Sequence, residues 1–560
     1  MTVTRRQFAA STLLAGAASS ALLAAKATSA ATKPPDTPTF AHGVASGDPL
    51  NDRIILWTRV TPAGTRTGTS TDSTTDPTTD PTTAISTDAS APVRVRWRIA
   101  TDAQLRKIVN QGELLALPSR DFTVKVDALG LEPGRTYYYQ FDANDHASPT
   151  GRTRTLPSGV VGRTRLAVVS CSNLPMGYFN AYAAIAARFD LDAVLHLGDY
   201  FYEYGPGERR DGEALGRLHT PDHELLTLAD YRARHAQYKQ DPDLQGAHRQ
   251  HPWITVWDDH ESANDAWTGG AQNHNPDKGE GDWATRKAAA TRAYAEWMPI
   301  REMPDDDAGL RIYRRFAFGD LLDLIMLDTR LYGRAQQVKK ENTIGAHDPA
   351  RSLLGNDQAQ WLAQQLRRSQ QRGAAFRLIG QQVMFSPLLD EHRAALNMDQ
   401  WDGYAASREL ILNQLKAEKI SDVVVLSGDI HSAWAFDVPL DPFEGFNSAT
   451  GKGSLAVEFV GPSVTSPGPF GTGLAAVARE AGMRMLLPHL KYVNFREHGY
   501  FVVDVTPERT QAEWYLFESV QKREVKEHLA AAFATARGAN HLQTATHASP
   551  SNAERAPVVE

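Results

Sequence analysis

The chain has 560 residues, 42% of them hydrophobic and 22% charged, with a formal net charge of -7. A single core stops growing near about 250–300 residues, so two domains are expected, and the small negative charge disfavours a nucleic-acid partner, which calls for a basic patch or a high pI. After the N-terminus no run of about 20 apolar residues occurs, so no membrane span is expected in the mature chain.

Residues 1–30 read as a targeting segment outside the fold. Thr4-Arg5-Arg6-Gln7-Phe8 precedes an Ala/Leu stretch at 9–25, and Thr28-Ser29-Ala30 forms a small-residue cleavage site. Paired arginines followed by x-Phe are the twin-arginine signature, and the weakly hydrophobic, Ala-rich segment favours that route over a general secretory signal. The twin-arginine translocase is therefore an expected partner, and the mature protein is expected to be periplasmic or secreted. Exported proteins usually pair their cysteines, yet Cys171 has no second cysteine to meet.

From 31 to 157 the pattern is β-rich. Residues 54–59, 93–99 and 122–126 read as strands, the last two with period-two alternation. Leu131-Glu132-Pro133-Gly134 puts a corner before the aromatic strand around Tyr137-Tyr138-Tyr139. Such short strands predict a small N-terminal β-sandwich. Within it, the Thr/Ser/Asp/Pro stretch at 61–91 has too little apolar surface to fold and reads as an insertion.

From 158 to 517 short apolar runs alternate with helical segments, which predicts an α/β domain. The runs at 166–169, 193–197, 253–257, 321–327, 376–379 and 423–426 are continuous in Val, Ile and Leu, as strands buried on both faces are. Trp283–Trp297 and residues 357–368 have helical periodicity, and residues 500–505 form a last strand. For 518–560 a helix over 520–534 and a frayed tail beyond Gly538 are expected.

Almost every buried strand ends in polar residues: Ser170-Cys171-Ser172-Asn173, Gly198-Asp199-Tyr200-Phe201-Tyr202, Asp258-Asp259-His260-Glu261, Asp328-Thr329-Arg330, Gly380-Gln381-Gln382 and Ser427-Gly428-Asp429-Ile430-His431. Ligands bind outside the carboxyl ends of strands in open α/β sheets, so these endings should converge. Asp199, Asp258, Asp259, Asn264 and Asp429 offer the oxygen donors that hard cations prefer. Cys171 and Tyr202, as thiolate and phenolate, suit a strongly Lewis-acidic ion. His431 would share a face with Asp429 if that segment were extended. A Cys-x5-Arg phosphatase loop is excluded, because the position six beyond Cys171 is Gly177.

Gly198-Asp199-Tyr200-Phe201-Tyr202 resembles a metallophosphoesterase motif shared with purple acid phosphatases, but Asp258-Asp259-His260-Glu261, Ser427-Gly428-Asp429-Ile430-His431 and Cys171 depart from that group. The departures resemble the PhoD-type alkaline phosphatases. The likeness extends to His42-Gly43-Val44-Ala45-Ser46-Gly47-Asp48-Pro49, Leu56-Trp57-Thr58-Arg59, Glu296-Trp297-Met298-Pro299-Ile300-Arg301 and Gln381-Gln382-Val383. It implies a metallophosphoesterase-like sheet sandwich flanked by helices, behind the small β-sandwich. It also implies ferric iron (Fe3+) on Cys171, Asp199, Tyr202 and His431. Calcium (Ca2+) is implied on Asp199, Asn264, Asp429 and one of Asp258 and Asp259. The implied reaction is in-line attack on phosphorus by a metal-activated hydroxide, with Asp259 at the reacting centre. His260 either protonates the leaving group or orients a carboxylate, and Arg286 or Arg330 is open to binding phosphate as a fork. The substrates implied are phosphate monoesters, as small molecules or in the cell envelope. A phosphodiesterase or phospholipase D-like enzyme on the same metals is the alternative. A non-catalytic, calcium-stabilised binding protein would leave the thiolate and phenolate without a purpose.

Overall fold

The computed structural model describes residues 39–61, 91–207, 212–305, 309–340, 342–468 and 471–551. The targeting segment, nearly all of the low-complexity insertion and the last nine residues lie outside them.

Two sheets face one another across the main core. The first holds ten strands. Thr164–Val169, Ala193–His196 and Pro252–Thr255 run parallel at its centre. Antiparallel strands His498–Val505, Arg509–Phe517, His528–Ala536 and Gln543–Thr544 extend one side. In the second sheet, of seven strands, Leu322–Met326, Phe376–Gly380, Val423–Ser427 and Ser454–Val460 are parallel.

The Val/Ile/Leu runs explain why both faces of the second sheet are dry. Successive side chains on a strand point to opposite faces. Leu324, Leu378 and Val424 join Val168, Leu195 and Phe501 in the core between the sheets. Their neighbours Ile325, Ile379 and Val425 pack beneath Leu362, Leu366, Leu412 and Leu415, which come from the helices Gly355–Gln371 and Ala405–Glu418. This is the layered sheet sandwich that the resemblance implies.

The N-terminal β-sandwich exists, but it is not a separate body. Its outer layer is a five-stranded sheet that includes Val93–Ala100, Ile108–Ala116 and Thr136–Ala143. The facing layer, Val44–Gly47, Arg53–Arg59 and Thr123–Leu129, is hydrogen-bonded into the ten-stranded sheet, Ser46 pairing with Pro252 and Gly47 with Trp253. Gly47 permits this contact: a Cβ there would lie 2.3 Å from the Pro299 carbonyl oxygen and 2.6 Å from that of Trp253.

The C-terminal expectation fails. Residues 520–534 are not a helix; His528–Ala536 is a strand between Arg509–Phe517 and Gln543–Thr544. Its alanines favour a helix intrinsically, but the ladders on both edges and the packing of Phe533 against Tyr492 and Trp514 override that preference. Beyond Gly538, Gln543 and Thr544 are likewise tied down, paired with Ala534 and Phe533 in the short final strand. No helix among the described residues is long and apolar enough to cross a membrane.

Candidate metal centre

The polar strand endings converge. Cys171, Asp199 and Asp258 to His260 follow three central strands of the first sheet, and Arg330, Gln382, Asp429 and His431 follow three of the second. The loops touch where glycines leave room. A Cβ on Gly198, whose φ is +110°, would lie 2.3 Å from Asp258 Cβ, and one on Gly428 would lie 2.7 Å from Ser170 Oγ. Cys171, Asp199, Asp429 and His431 hold φ values of 62°, 54°, 66° and 54°. The segment from Asp429 to His431 is thus not extended, as the shared-face argument assumed. It turns through the left-handed region and still brings both residues to one cleft. Non-glycine residues there are uncommon and strained, and they concentrate at functional sites.

The cleft has a volume of about 260 Å3 and is lined by Asp199, Asp259, His260, Asn264, Asp265, Asp399, Asp429 and His431 among others. Three ligand groups chain together. Donor atoms of Cys171, Asp199 and His431 lie within 4.8 Å of one another, as do those of Asp199, Asp259 and His260, and those of Asp258, Asp259 and Asp429. Asp199 belongs to two groups, which suits a bridging carboxylate. Tyr202 Oη lies 3.0 Å from Asp199 Oδ2 and 2.9 Å from His431 Nε2. Asn264 donates through Nδ2 to Gln272 Oε1 at 3.0 Å.

The donor set fits cations. Asp199 Oδ1, Asp258 Oδ2 and Asp259 Oδ1 are buried without a hydrogen-bond partner, a costly arrangement for carboxylates unless an ion takes them. Burial, reinforced by Asp199, pushes the Cys171 thiol and the Tyr202 phenol well above their usual range. Burial also raises Asp429 to about 6, against the Arg330 guanidinium, and Asp265 to about 7, with Asp399 adding to the effect. Asp259 goes the other way: burial opposes its charge, but Arg330 and His260 hold it at about 2.

Both arginines left open as phosphate forks are taken up by partners within the protein. Arg286 does not line the cleft. Its guanidinium is taken by Glu224 at 2.7 Å, the Tyr231 hydroxyl at 3.1 Å and the Asn273 carbonyl at 2.8 Å. Arg330 is central but is no open phosphate fork. Fully buried, it contacts Asp258, and donates to Asp399 at 2.6 Å and Asp429 at 2.9 Å. Asp258 gives its Oδ1 to Arg330 and leaves its Oδ2 unpaired, whereas Asp259 lines the cleft.

Two carboxylates to which the sequence reading gave no individual role complete the frame. Glu203 Oε2 accepts from His260 Nδ1 at 2.7 Å, while its Oε1 accepts from Asn264 N and Asn273 Nδ2. Burial opposes a charge on His260, yet Asp259, Glu203 and Asp199 together push its pKa well up. Glu261 accepts three backbone N–H bonds, from Asp199 at 3.0 Å, Tyr200 at 2.7 Å and Asp258 at 2.9 Å, and so clamps two ligand loops together. Both carboxylates stand beside residues singled out by motif; the missing signal was the direction of their side chains.

Against known proteins, the family model of PhoD-like phosphatases matches residues 166–514. The chain belongs to the PhoD-like phosphatases. The model of that family's N-terminal domain matches residues 25–157. Alkaline phosphatase D of Bacillus subtilis (strain 168) is 37% identical over 487 residues, covering 85% of this chain and 77% of the relative. The solved structure of PhoD aligns with a TM-score of 0.77 at 33% identity, over 91% of this chain and 93% of that one. This PhoD-like phosphatase is a phosphoric ester hydrolase.

Proposed function

We propose that this PhoD-like phosphatase is an exported, metal-dependent enzyme that hydrolyses phosphate monoesters, with ferric iron on Cys171, Asp199, Tyr202 and His431 and calcium on Asp199, Asp259, Asn264 and Asp429. One observation carries the reading. The substrate is an anion, yet the cleft is lined by Asp199, Asp259, Asp265, Asp399 and Asp429 and, among the described residues, by no arginine or lysine. Arg330 is already spent on carboxylates. A phosphate would be repelled unless cations reversed the local charge.

Bound metals would supply a lowered pKa for the attacking water and neutralisation of charge on the phosphoryl oxygens. The chain's own residues supply the frame. Asp199 is shared between the two ligand groups, Asp258 holds Arg330, and Glu261 fixes the loops that carry both. With His260 Nδ1 committed to Glu203, Nε2 is the atom left to hold a proton for the leaving oxygen. The expected substrates are small-molecule or cell-envelope phosphate esters, reached after export by the twin-arginine translocase.

Plasma emission spectrometry on unchelated protein should find iron and calcium together, and chelation should abolish turnover of a chromogenic monoester. Stoichiometric zinc without iron would sink the metal assignment, and faster turnover of a chromogenic diester would move the enzyme to the phosphodiesterases. Replacing Arg5 and Arg6 by lysine should strand the precursor inside the cell; normal secretion of that variant would point to the general secretory route.

A further inference from the structure

We propose that His196 is a positioning residue which, acting through Tyr182 and Ser172, fixes the Cys171 loop against the Asp199 loop and thereby governs iron retention. This rests on the reading of Cys171 and Asp199 as iron ligands.

His196 closes the strand Ala193–His196 and lies in register with Val169, the last residue of the neighbouring strand. Both ligand loops begin just beyond these two residues. Gly198 N–H donates to His196 Nδ1 at 3.2 Å. Burial, with Lys239 nearby, holds the imidazole at about 3, so the ring is neutral and its remaining proton is on Nε2. Nε2–H then donates to Tyr182 Oη at 3.0 Å, and the Tyr182 hydroxyl continues to Ser172 Oγ at 2.5 Å. The directions are consistent from the backbone of one loop to the side chain of the other. Cys171 N and Ser172 N complete the lacing by donating to the Gly198 and Asp199 carbonyls at 3.1 Å and 2.9 Å.

The rings cannot drift. His196 stacks on Trp253 at 5.9 Å, and Tyr182 packs against Trp253 at 5.7 Å and Phe179 at 5.4 Å. Such a brace has a task, because Cys171 and Asp199 both sit in left-handed backbone, which persists only where the surroundings over-determine it. Every member of the chain is fully buried, so water cannot replace a lost bond.

The test is Tyr182→Phe in the full-length, metal-loaded protein, with Ser172→Ala as a second, milder cut. Iron release into EDTA should accelerate about tenfold or more, the range typical when a partner of a metal ligand is removed. The visible charge-transfer band should shift, and kcat should fall while KM stays within about twofold. The double variant should be no worse than the worse single, since both cut one chain. His196→Gln, which still reaches Tyr182, should retain iron better than His196→Leu. Unchanged iron release and an unchanged band in Tyr182→Phe or Ser172→Ala, even with a lowered Tm, would reduce the brace to ordinary structure. Cys171→Ser separates the two levels. If it loses iron while the brace variants keep theirs, only the brace fails; if it keeps its iron, the ligand reading fails and takes the brace with it.

Discussion

Around Arg330 the site meets charge with charge: Asp258, Asp399 and Asp429 share one guanidinium, with Asp259 3.6 Å away. Around Cys171 and Tyr202, no arginine or lysine among the described residues hydrogen-bonds the thiol or the phenol hydroxyl; burial and Asp199 push both groups toward their protonated forms. The first region is a partly neutralised acidic cage, suited to a hard divalent ion that adds charge without having to remove a proton. The second works only with an ion acidic enough to displace protons from sulfur and phenol. Two electrostatic regimes joined at Asp199 are what the proposed pair of metals of different character would need.

The largest effect should come from breaking the second region. Cys171→Ser offers a hydroxyl that resists deprotonation, and Asp199→Asn turns a shared carboxylate into a weak neutral donor. Each should lose iron and lower kcat by about 10³-fold or more, which is ~4 kcal/mol of barrier. Iron content and kcat measured in parallel check this; full iron with near-native turnover in Cys171→Ser would remove the thiolate ligand from the account.

Metal removal sharpens the first region. A carboxyl whose folded pKa lies above its unfolded value stabilises the protein at low pH, and that contribution is lost as pH rises through the folded value. Asp429, at about 6, and Asp265, at about 7, therefore destabilise the metal-free protein progressively between about pH 4 and pH 7. For Asp429 alone the loss is about 3 kcal/mol. Denaturant melts of the chelated protein at pH 5 and pH 8 should show it. Asp429→Asn should stabilise the metal-free protein at pH 8 while abolishing calcium retention, and a destabilised variant would contradict the burial penalty on the Asp429 charge. Tyr202→Phe should act more gently on activity, lowering kcat about 10- to 100-fold while erasing the ferric-phenolate colour.

Much of this was readable before the fold was known, and the reasons are particular. The runs at 166–169 and 423–426 carry apolar residues for both faces, so they could only be strands between layers. The ends of the buried strands brought Cys171, Asp199, Asp259 and Asp429 together without knowledge of any side-chain direction. What stayed hidden depends on contacts distant in sequence. The alanines of 530–534 read as helix because nothing local reveals a strand waiting on each side. The pairing of Ser46 with Pro252 joins two expected domains through residues more than two hundred apart. Asp399, which grips Arg330 and Arg334, comes from a loop that no strand end announces.

Arg286 and Arg330 show the same limit at the level of one side chain, and the smallest expected effect tests it. In sequence either arginine could hold phosphate as a fork. Arg286 is buried and its donors go to Glu224, Tyr231 and Asn273, none of which lines the cleft. Arg286→Gln should therefore leave kcat/KM within about twofold of wild type, since no interaction with the reacting phosphate is lost. Stability should fall by about 1–3 kcal/mol, because buried polar partners lose a charged donor while Glu224, partly exposed, regains water. The indirect route is short: Asn273 also donates to Glu203, the carboxylate that holds His260. If kcat falls tenfold or more while KM is unchanged, that route carries real positioning. If KM rises instead, Arg286 reaches the substrate in a conformation other than this one, and its removal from the phosphate site is wrong.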